Sequence, residues 1–510
     1  MIELVVLAIA TYMGWSFICL ELNHKRASAM RIPLVRVPVD PLNVPFMVLE
    51  PHIFKLIDLF PPSILPNFVR YMRRGWFFLD KANSHLKYGP IWACVTPRGI
   101  HMQICDSEVI HDMFNRRHDF IRPSENYKLL EVYGPCISTA DLDNWPRHRK
   151  ILAAPFNESV MKFVWSESLD QEQQMIKSWT SSSSIKSFAK DTRTLSLNVL
   201  AATGFRRSFS FQAAAAGVEK TDVASSYRDA LSTVLDNVII LMLLPYRYLT
   251  LPFFPKSLQQ VGNARKEFKQ HMERMLADKT AAVERGETGA GSLMTSFEGS
   301  KSKGLSVEEI YGNIFVINFA GHDTTANTLA FSMALLATEP DMQAWVAEEV
   351  REVVSTEQDW DYAQHTSSAP QSLKVGDRTI IIPANTSTSP SLLAVHTHPK
   401  YWPDPLEWKL SRWITNEGGQ ESFVTLTRDT YFPWSAGPQN CPGQKFSEVE
   451  FVAILALLLR DHKLGIVKED GESEQQARSR AIKIINDCDA QMLLRMRDPD
   501  RPKLSCAVRA

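Results

Sequence analysis

The sequence predicts a mainly α-helical protein with minor β structure. Its 510 residues are 45% hydrophobic and 22% charged, which is the balance of a large globular protein with an ample core. Residues 107–337 mostly follow a helical pattern, which is interrupted by four serines at 181–184 and by the segment "RGETGAGS". Strand-like runs are short and local, at 91–106, at 375–386 and near the carboxyl terminus, where two final strands are predicted. Dominant helices with few local strands define this class.

The amino terminus predicts a membrane anchor. Residues 4–20 carry no charge and would span about 25 Å as a helix. Lys25, Arg26 and Arg31 follow the apolar run, whereas a cleaved signal peptide has its basic residues before it. Positive charge on the carboxyl-terminal side places the body in the cytosol. We expect a single-pass anchor at 1–22, with a buried core helix as the alternative.

The remaining chain predicts a linker and one large domain. Residues 32–46 are rich in proline and predict extended chain, so we place a linker at 23–60 and the domain at 61–510. The formal net charge of -1 argues against nucleic acid as a partner. Seven scattered cysteines without a CxxC pair indicate reduced thiols and neither a zinc site nor a disulfide framework.

A long apolar helix is predicted to cross the interior. Ser306 and Glu309 form a capping-box pattern at its start, and nothing stops it before Pro340, so it would run roughly 48 Å. Its middle carries "AGHDTT" at 320–325.

That motif is costly inside a buried helix. Gly321 costs about 1 kcal/mol relative to alanine, and a buried acid and hydroxyls need partners. Two interpretations stay open on the motif alone. Either its polar residues face a loop, or Gly321 clears space for a ligand while Asp323 and Thr324 handle protons.

The segment "FPWSAGPQNCPGQKF" at 432–446 sets Cys441 on a constrained turn. Gly437 and Gly443 would let the backbone approach a bulky partner, and Pro442 stiffens the turn. An apolar helix follows, and its amino-terminal dipole would stabilise a thiolate. A structural cysteine needs none of these neighbours, so the turn indicates a thiolate ligand.

These motifs resemble those of the cytochrome P450 superfamily. "PWSAGPQNCPGQKFSEVEF" is similar to its haem-binding loop and "AGHDTT" to its oxygen-activating helix motif. "NWPRHRK" has Trp145 and Arg149 at the W-x-x-x-R spacing, and the segment 396–413 resembles the strand and meander before the loop, with Arg412 in the family's arginine position. The loop is most similar to that of filamentous-fungal members, many of which serve secondary metabolism.

The resemblance implies a cytochrome P450 fold that binds haem b, with Cys441 as the axial ligand of the iron. It further implies that Trp145 and Arg149 bind a propionate. Asp323 and Thr324 would supply protons for oxygen activation. Ala320 and Gly321 would leave room for oxygen and substrate. The implied reaction inserts one oxygen atom of O₂ into a lipophilic small molecule.

The resemblance also implies partners and a location. Electrons would come from NADPH through a membrane-bound NADPH–cytochrome P450 reductase, and the protein would lie at the endoplasmic reticulum membrane. "RHRK" at 147–150 could form a basic docking patch for that reductase, or it could be an ordinary solvated helix face. The segments 124–137 and 227–245, which would line the substrate pocket, are apolar and indicate only a lipophilic ligand.

The haem loop departs from the family pattern at two positions. Trp434 stands where phenylalanine is usual, seven residues before the cysteine, and Gln439 replaces the usual arginine. Tryptophan can still pack near the sulfur. Glutamine can donate a hydrogen bond to a propionate but cannot form an ion pair with it.

A larger departure concerns the family's E-x-x-R helix, which pairs with the meander arginine. "EEVR" at 348–351 has the right letters but lies too soon after "AGHDTT", so we interpret it as the preceding surface helix. The sequence therefore predicts an internal deletion near 362–366. Removing one partner of a buried charge network costs about 3–5 kcal/mol. The alternative function is accordingly a non-catalytic or inactive haem-binding splice product.

Overall fold

The computed structural model describes most of the chain. The described residues are 2–41, 43–116, 118–153, 156–185, 187–205, 208–211, 223–244, 246–284, 304–353, 382–383, 386–417, 420–424, 430–490 and 493–509. Helices dominate them, which confirms the predicted class of mainly α with minor β structure. The chain divides into two compact units, which are described separately. The first comprises Met1–Phe120, Ser368–Asn440 and Asp489–Leu494, and the second Ile121–Ser367, Cys441–Cys488 and Arg495–Ala510.

The described α-helices vary from one turn to nine turns in length. In chain order they are α1 (Ile2–Ser28), α2 (Val44–Ile57), α3 (Val69–Met72), α4 (Trp76–Asp80), α5 (Asn83–Tyr88), α6 (Ser107–Asn115), α7 (Trp145–Ala153), α8 (Glu158–Thr180), α9 (Phe188–Phe205), α10 (Val223–Asp236), α11 (Val238–Leu243), α12 (Tyr246–Leu249), α13 (Lys256–Glu284), α14 (Val307–Thr338), α15 (Pro340–Val353), α16 (Leu392–His396), α17 (Gln444–Asp461) and α18 (Glu474–Asn486).

The described strands are short. They are β1 (Leu34–Arg36), β2 (Ile91–Val95), β3 (Ile100–Ile104), β4 (Ser387–Pro390), β5 (Ile414–Glu417), β6 (Gln420–Phe423), β7 (His462–Ile466), β8 (Cys488–Ala490), β9 (Leu494–Met496) and β10 (Leu504–Val508).

A four-stranded sheet in the order β1-β2-β3-β4 organises the first unit. Strands β2 and β3 are antiparallel, with Trp92 opposite Gln103, and the turn between them closes through a hydrogen bond from the Thr96 amide to the Gly99 carbonyl at 2.9 Å. The predicted hairpin at 91–106 is therefore confirmed. Strand β4 adds in parallel to β3. Most of the strand predicted at 375–386 lies outside the described residues.

The amino-terminal helix does not support the predicted membrane anchor at 1–22. Among the described residues, no helix combines the length and the apolar character that crossing a membrane requires. The carboxyl-terminal part of α1 instead packs within the first unit, where Leu20 and Ala27 are buried. Asn23 donates to the carbonyls of Thr96 at 3.0 Å and Pro97 at 3.2 Å. This part of α1 is thus held by polar contacts to the β2–β3 turn.

The predicted linker at 23–60 is partly helical. Asn43 caps α2 by accepting a hydrogen bond from the Phe46 amide at 3.1 Å, and Pro45 lies in the first turn. Asparagine at the cap and proline in the first turn both favour a helix start. Extended chain is confirmed only around β1, while the boundaries at 22 and 60 stay predictions.

The second unit is built around α14. This helix begins with the predicted capping box of Ser306 and Glu309 and ends before Pro340. It packs against α9 and α17, and it is buried along most of its 32 residues. Helices α8, α9, α14 and α17 contribute to one apolar cluster, and α9, α10, α13 and α14 contribute to a second. The predicted interior helix is confirmed.

Candidate active site

Cys441 lies three residues before α17. Its side chain is accessible to solvent. Burial raises the pKa of the thiol overall, although a hydrogen bond from the Gly443 backbone and the positive charge of Arg149 oppose the rise. Arg149, on α7, is half-buried, and burial lowers the pKa of its guanidinium. The second unit therefore brings Cys441 and Arg149 together, with the helix amino terminus favouring a thiolate.

The structure requires glycine at only one of the two glycine positions in the turn. Gly437 has a φ of 70°, and an added Cβ would lie 3.0 Å from the Phe114 carbonyl oxygen, so both backbone conformation and close packing require glycine there. Gly443 has a φ of -90°, and an added Cβ would meet Cys441 Sγ only at 3.9 Å. At Gly437 the described close approach is to protein backbone. At Gly443 the described neighbours leave room for a side chain.

The first-unit part of the turn is fixed by a histidine. The Phe432 amide donates to His396 Nε2 at 2.8 Å, and the two rings stack with centroids 6.2 Å apart. Burial lowers the pKa of His396 to about 4, so the imidazole is neutral and accepts this bond at pH 7. Trp434 and Gln439, further along the same turn, are both half-buried. The sequence did not single out His396 as a support of this turn.

The long helix α14 has one open face. Ala320, Thr324 and Thr328 are exposed, although most of the helix around them is buried. Residues spaced by four lie on one side of a helix, so they form a continuous stripe. Thr324 Oγ1 donates to the Ala320 carbonyl at 2.7 Å. At Gly321 an added Cβ would be in ordinary contact with Leu200, at 3.6 Å, so this glycine does not by itself open a space.

Asp323 points away from that stripe. It is buried, and its Oδ1 accepts from Arg193 Nε at 3.0 Å and Nη2 at 2.8 Å. Its Oδ2 pairs with Arg495. Successive helical residues differ by about 100° in direction, so the structure places Asp323 and Thr324 on different faces of α14. Sequence reasoning missed both arginines, which are distant along the chain.

Most of the "RHRK" segment at 147–150 is at least partly buried. Arg147 binds Glu309 through two hydrogen bonds, and His148 is buried. Arg149 is half-buried, which leaves only Lys150 fully exposed. The predicted basic docking patch at 147–150 is therefore wrong as a four-residue surface. Trp145 is buried on the same helix as Arg149.

The predicted deletion near 362–366 lies outside the described residues. The interpretation of 348–351 as a surface helix is confirmed, because Glu348 and Glu349 are exposed on α15. Arg412, the expected partner of an E-x-x-R helix, donates to the carbonyls of Pro403, Asp404 and Glu407 at 2.7–2.9 Å.

Comparisons with known proteins agree on one class. The family model "Cytochrome P450" matches residues 61–369 and 362–486. The chain is 25% identical to a cytochrome P450 monooxygenase of Arthrobotrys oligospora, with 91% of each chain covered. It is 26% identical to the phomenoic acid biosynthesis cluster cytochrome P450 monooxygenase of Leptosphaeria maculans, with 88% of this chain and 90% of that protein covered. A Penicillium rubens cytochrome P450 monooxygenase is 25% identical over 78% of this chain and 80% of its own.

The family match and these relatives together show an oxidoreductase of the monooxygenase class. The chain belongs to the cytochrome P450 family, which the family match establishes over most of its length.

The residues present fit the haem that this family implies. The structure offers an accessible thiol at a helix amino terminus with Arg149 beside it. It also offers an uncovered stripe on a mostly buried helix. A thiolate can ligate haem iron, and a guanidinium can pair with a propionate. The uncovered face of the helix can pack against a flat apolar ring.

Proposed function

We propose that this cytochrome P450 monooxygenase inserts one oxygen atom of O₂ into a lipophilic small molecule in fungal secondary metabolism. The observation that carries the proposal is the accessible Cys441 thiol beside Arg149 at the start of α17. The substrate class is supported by the apolar segments predicted to line the pocket. The metabolic role is supported by the Leptosphaeria maculans relative, whose name places it in the phomenoic acid biosynthesis cluster.

Haem b would be held by the Cys441 thiolate at its iron and by Trp145 and Arg149 at a propionate. When bound, it supplies the chemistry that activates dioxygen. The amino terminus of α17 stabilises the thiolate. Thr324 exposes its hydroxyl on the open stripe, where it can give up its bond to the Ala320 carbonyl and hold a proton donor toward the reacting group. Asp323 lies one residue away, where it is paired with Arg193 and Arg495.

Electrons would come from NADPH through NADPH–cytochrome P450 reductase. We place the protein at the endoplasmic reticulum membrane with its body in the cytosol. Exposed apolar side chains between residues 4 and 17 of α1 support binding to a membrane surface, namely Leu4, Leu7, Met13, Trp15 and Phe17. Such side chains are unfavourable in water when they are clustered.

The decisive test is the spectrum of the reduced carbon monoxide complex. The wild-type chain should give the Soret band characteristic of thiolate-ligated haem, and Cys441→Ser should lose it because serine offers no thiolate. Cys488→Ser, at a half-buried cysteine elsewhere, is the matched control and should keep the band. An unchanged spectrum in Cys441→Ser would refute the proposal.

A second candidate is an inactive haem-binding splice product. The family match breaks into two segments that meet at residues 362–369. The alignments to two relatives are 540 and 531 positions long, which exceeds the 510 residues of this chain, so those relatives carry residues that have no counterpart here. Reductase, NADPH and microsomes separate the two candidates: product formation supports the enzyme, and haem binding without turnover supports the splice product.

A further inference from the structure

Two polar side chains near the start of α14 face α7. Glu309 and Asn313 are four residues apart, so they lie on one side of the helix. Asn313 is completely buried, and the Glu309 side chain is only 15% exposed. A carboxylate and an amide at this depth need hydrogen-bond partners. Consecutive residues of α7 provide them.

Arg147 and His148 both bind this pair. Arg147 donates through Nη2 to Glu309 Oε1 at 2.6 Å and through Nη1 to Oε2 at 3.0 Å, which is the strong two-pronged geometry of guanidinium and carboxylate. Asn313 Nδ2 lies 2.9 Å from His148 Nδ1. Because that amide donates, Nδ1 accepts, and Nε2 of the same ring donates to Glu309 Oε1 at 3.3 Å.

The carboxylate is ionised under all ordinary conditions. Burial raises the pKa of Glu309, but the hydrogen bonds from Arg147 and from the Ser306 backbone outweigh it and lower the pKa to about 2. The ion pair with Arg147 therefore persists across the neutral range.

The neighbouring loop packs tightly against the same stretch of α14. Asn313 Oδ1 accepts from the Ile137 amide at 2.8 Å. An added Cβ at Gly312 would lie only 2.3 Å from the carbonyl oxygens of Gly134 and Pro135, so only glycine allows this approach. The loop that leads to α7 thus has no room to slide along α14.

We infer that Arg147, His148, Glu309 and Asn313 form a clamp that positions Arg149 for the haem propionate. Helix α7 has nine residues, and its two anchored residues point about 100° apart, so the clamp fixes both rotation and translation of the helix. Arg149 is the next residue on α7, so fixing the helix also fixes the direction in which the Arg149 side chain leaves it. These four are positioning residues. The inference rests on the proposed haem site.

The clamp also links Arg149 to the helix that carries the open stripe. Glu309 and Ala320 are separated by eleven residues of α14, about 16 Å along a rigid helix. The clamp therefore fixes the position of Arg149 relative to the stripe, within the second unit, whether or not haem is bound.

The test removes the charge of Glu309 and keeps the helix cap. Glu309→Gln preserves the capping box, because glutamine at this position still accepts from the Ser306 amide. Glu308→Gln, at the exposed neighbour on the same turn, is the matched control. The full-length chain is reconstituted with hemin, and haem transfer to excess apomyoglobin is timed. Hydrogen exchange of residues 145–153 is measured separately in the haem-free protein.

We expect Glu309→Gln to lose haem about fivefold faster or more than wild type, because a hydrogen bond to a charged group is lost. Exchange in residues 145–153 should also accelerate, while Glu308→Gln should match wild type in both measurements. Adding Arg147→Gln to Glu309→Gln should change little more, because the two residues act as one pair.

Three results would overturn the inference. The first is equal haem loss in Glu309→Gln and Glu308→Gln. The second is faster exchange throughout the second unit, which would indicate general destabilisation. The third is an additive effect of Arg147→Gln. A wild-type chain that takes up no hemin overturns the proposed haem site as well, whereas a wild type that binds hemin with unaltered variants rejects the clamp alone.

Discussion

Thr324 is the residue that we expect to act most directly in the proposed oxygen chemistry. Its hydroxyl is exposed on α14 and, within the described part of the chain, bonds the carbonyl one turn earlier at 2.7 Å, so it can turn toward a bound ligand at small cost. Replacement by alanine removes the proton-holding group without disturbing the core. Thr324→Ala should therefore release several times more peroxide per NADPH consumed. The physical reason is that a positioned general acid contributes roughly 10²–10⁴-fold to the rate of a proton-transfer step. Thr324→Ser keeps a hydroxyl and should restore coupling. Unchanged coupling in Thr324→Ala would remove the role assigned to this residue.

Asp323 contributes to stability through its two arginines. A buried carboxylate that loses a partner costs about 3–5 kcal/mol, but Arg193 and Arg495 are partly exposed and share the charge. We therefore expect each single change, Arg193→Gln or Arg495→Gln, to lower the free energy of unfolding by about 1–2 kcal/mol. The double change should cost more than their sum. Arg497→Gln, whose partner Asp487 is exposed, should cost under about 0.5 kcal/mol. Urea unfolding measures all four, and equal midpoints would contradict the assigned ion pairs.

At the level of elements, local signals were readable from the sequence and distant pairings were not. The start and end of α14 follow from Ser306, Glu309 and Pro340, which act within one turn of the helix. The hairpin of β2 and β3 follows from its turn. Arg193 and Arg147, in contrast, meet their carboxylates across 130 and 162 residues, and no periodicity encodes such a pairing. The apolar run in α1 predicted an anchor that the structure does not support, since no described helix has the length and apolar character that a membrane span requires.

Helix α17 carries a buried acid that predicts how stability depends on pH. Burial raises the pKa of Glu450 to about 8, above its ordinary value of 4.5. The folded protein therefore binds a proton that the unfolded chain releases, and this group's destabilising effect grows as pH rises from about 4.5 to 8. Glu450→Gln, a neutral isostere, should unfold at higher urea concentration than wild type, and the difference should increase between pH 5.5 and pH 8.

Glu448→Gln provides the control on the same helix, because Glu448 is only half-buried and accepts from Gln444 at 2.9 Å. It should not reproduce the growing difference. A constant offset between Glu450→Gln and wild type at all pH values would show that Glu450 does not hold an extra proton in the folded state.

On the scale of the whole molecule, the family match and the chemistry of the site both indicate a cytochrome P450. The alignments to two relatives are nevertheless longer than this chain, so those relatives carry residues that have no counterpart here. The family match breaks at 362–369, and Arg412 is bound to three carbonyl groups of its own segment. In the family this arginine pairs with an E-x-x-R helix, which the sequence is predicted to lack. The proposed haem thiolate site is therefore predicted to be without its usual charged support.

This combination predicts weak haem binding by the chain as it stands. We expect purified protein to carry clearly less than one haem per chain, since a missing partner in a buried charge network costs about 3–5 kcal/mol. Inserting a helix that carries an E-x-x-R pair near residues 362–366 should raise the haem content and the carbon monoxide band together. A Gly/Ser insert of equal length should do neither, because it restores chain length but no charges. Full haem occupancy in the chain without any insert would show that Arg412 and its carbonyl partners support the loop unaided, and the splice-product alternative would then lose its physical basis.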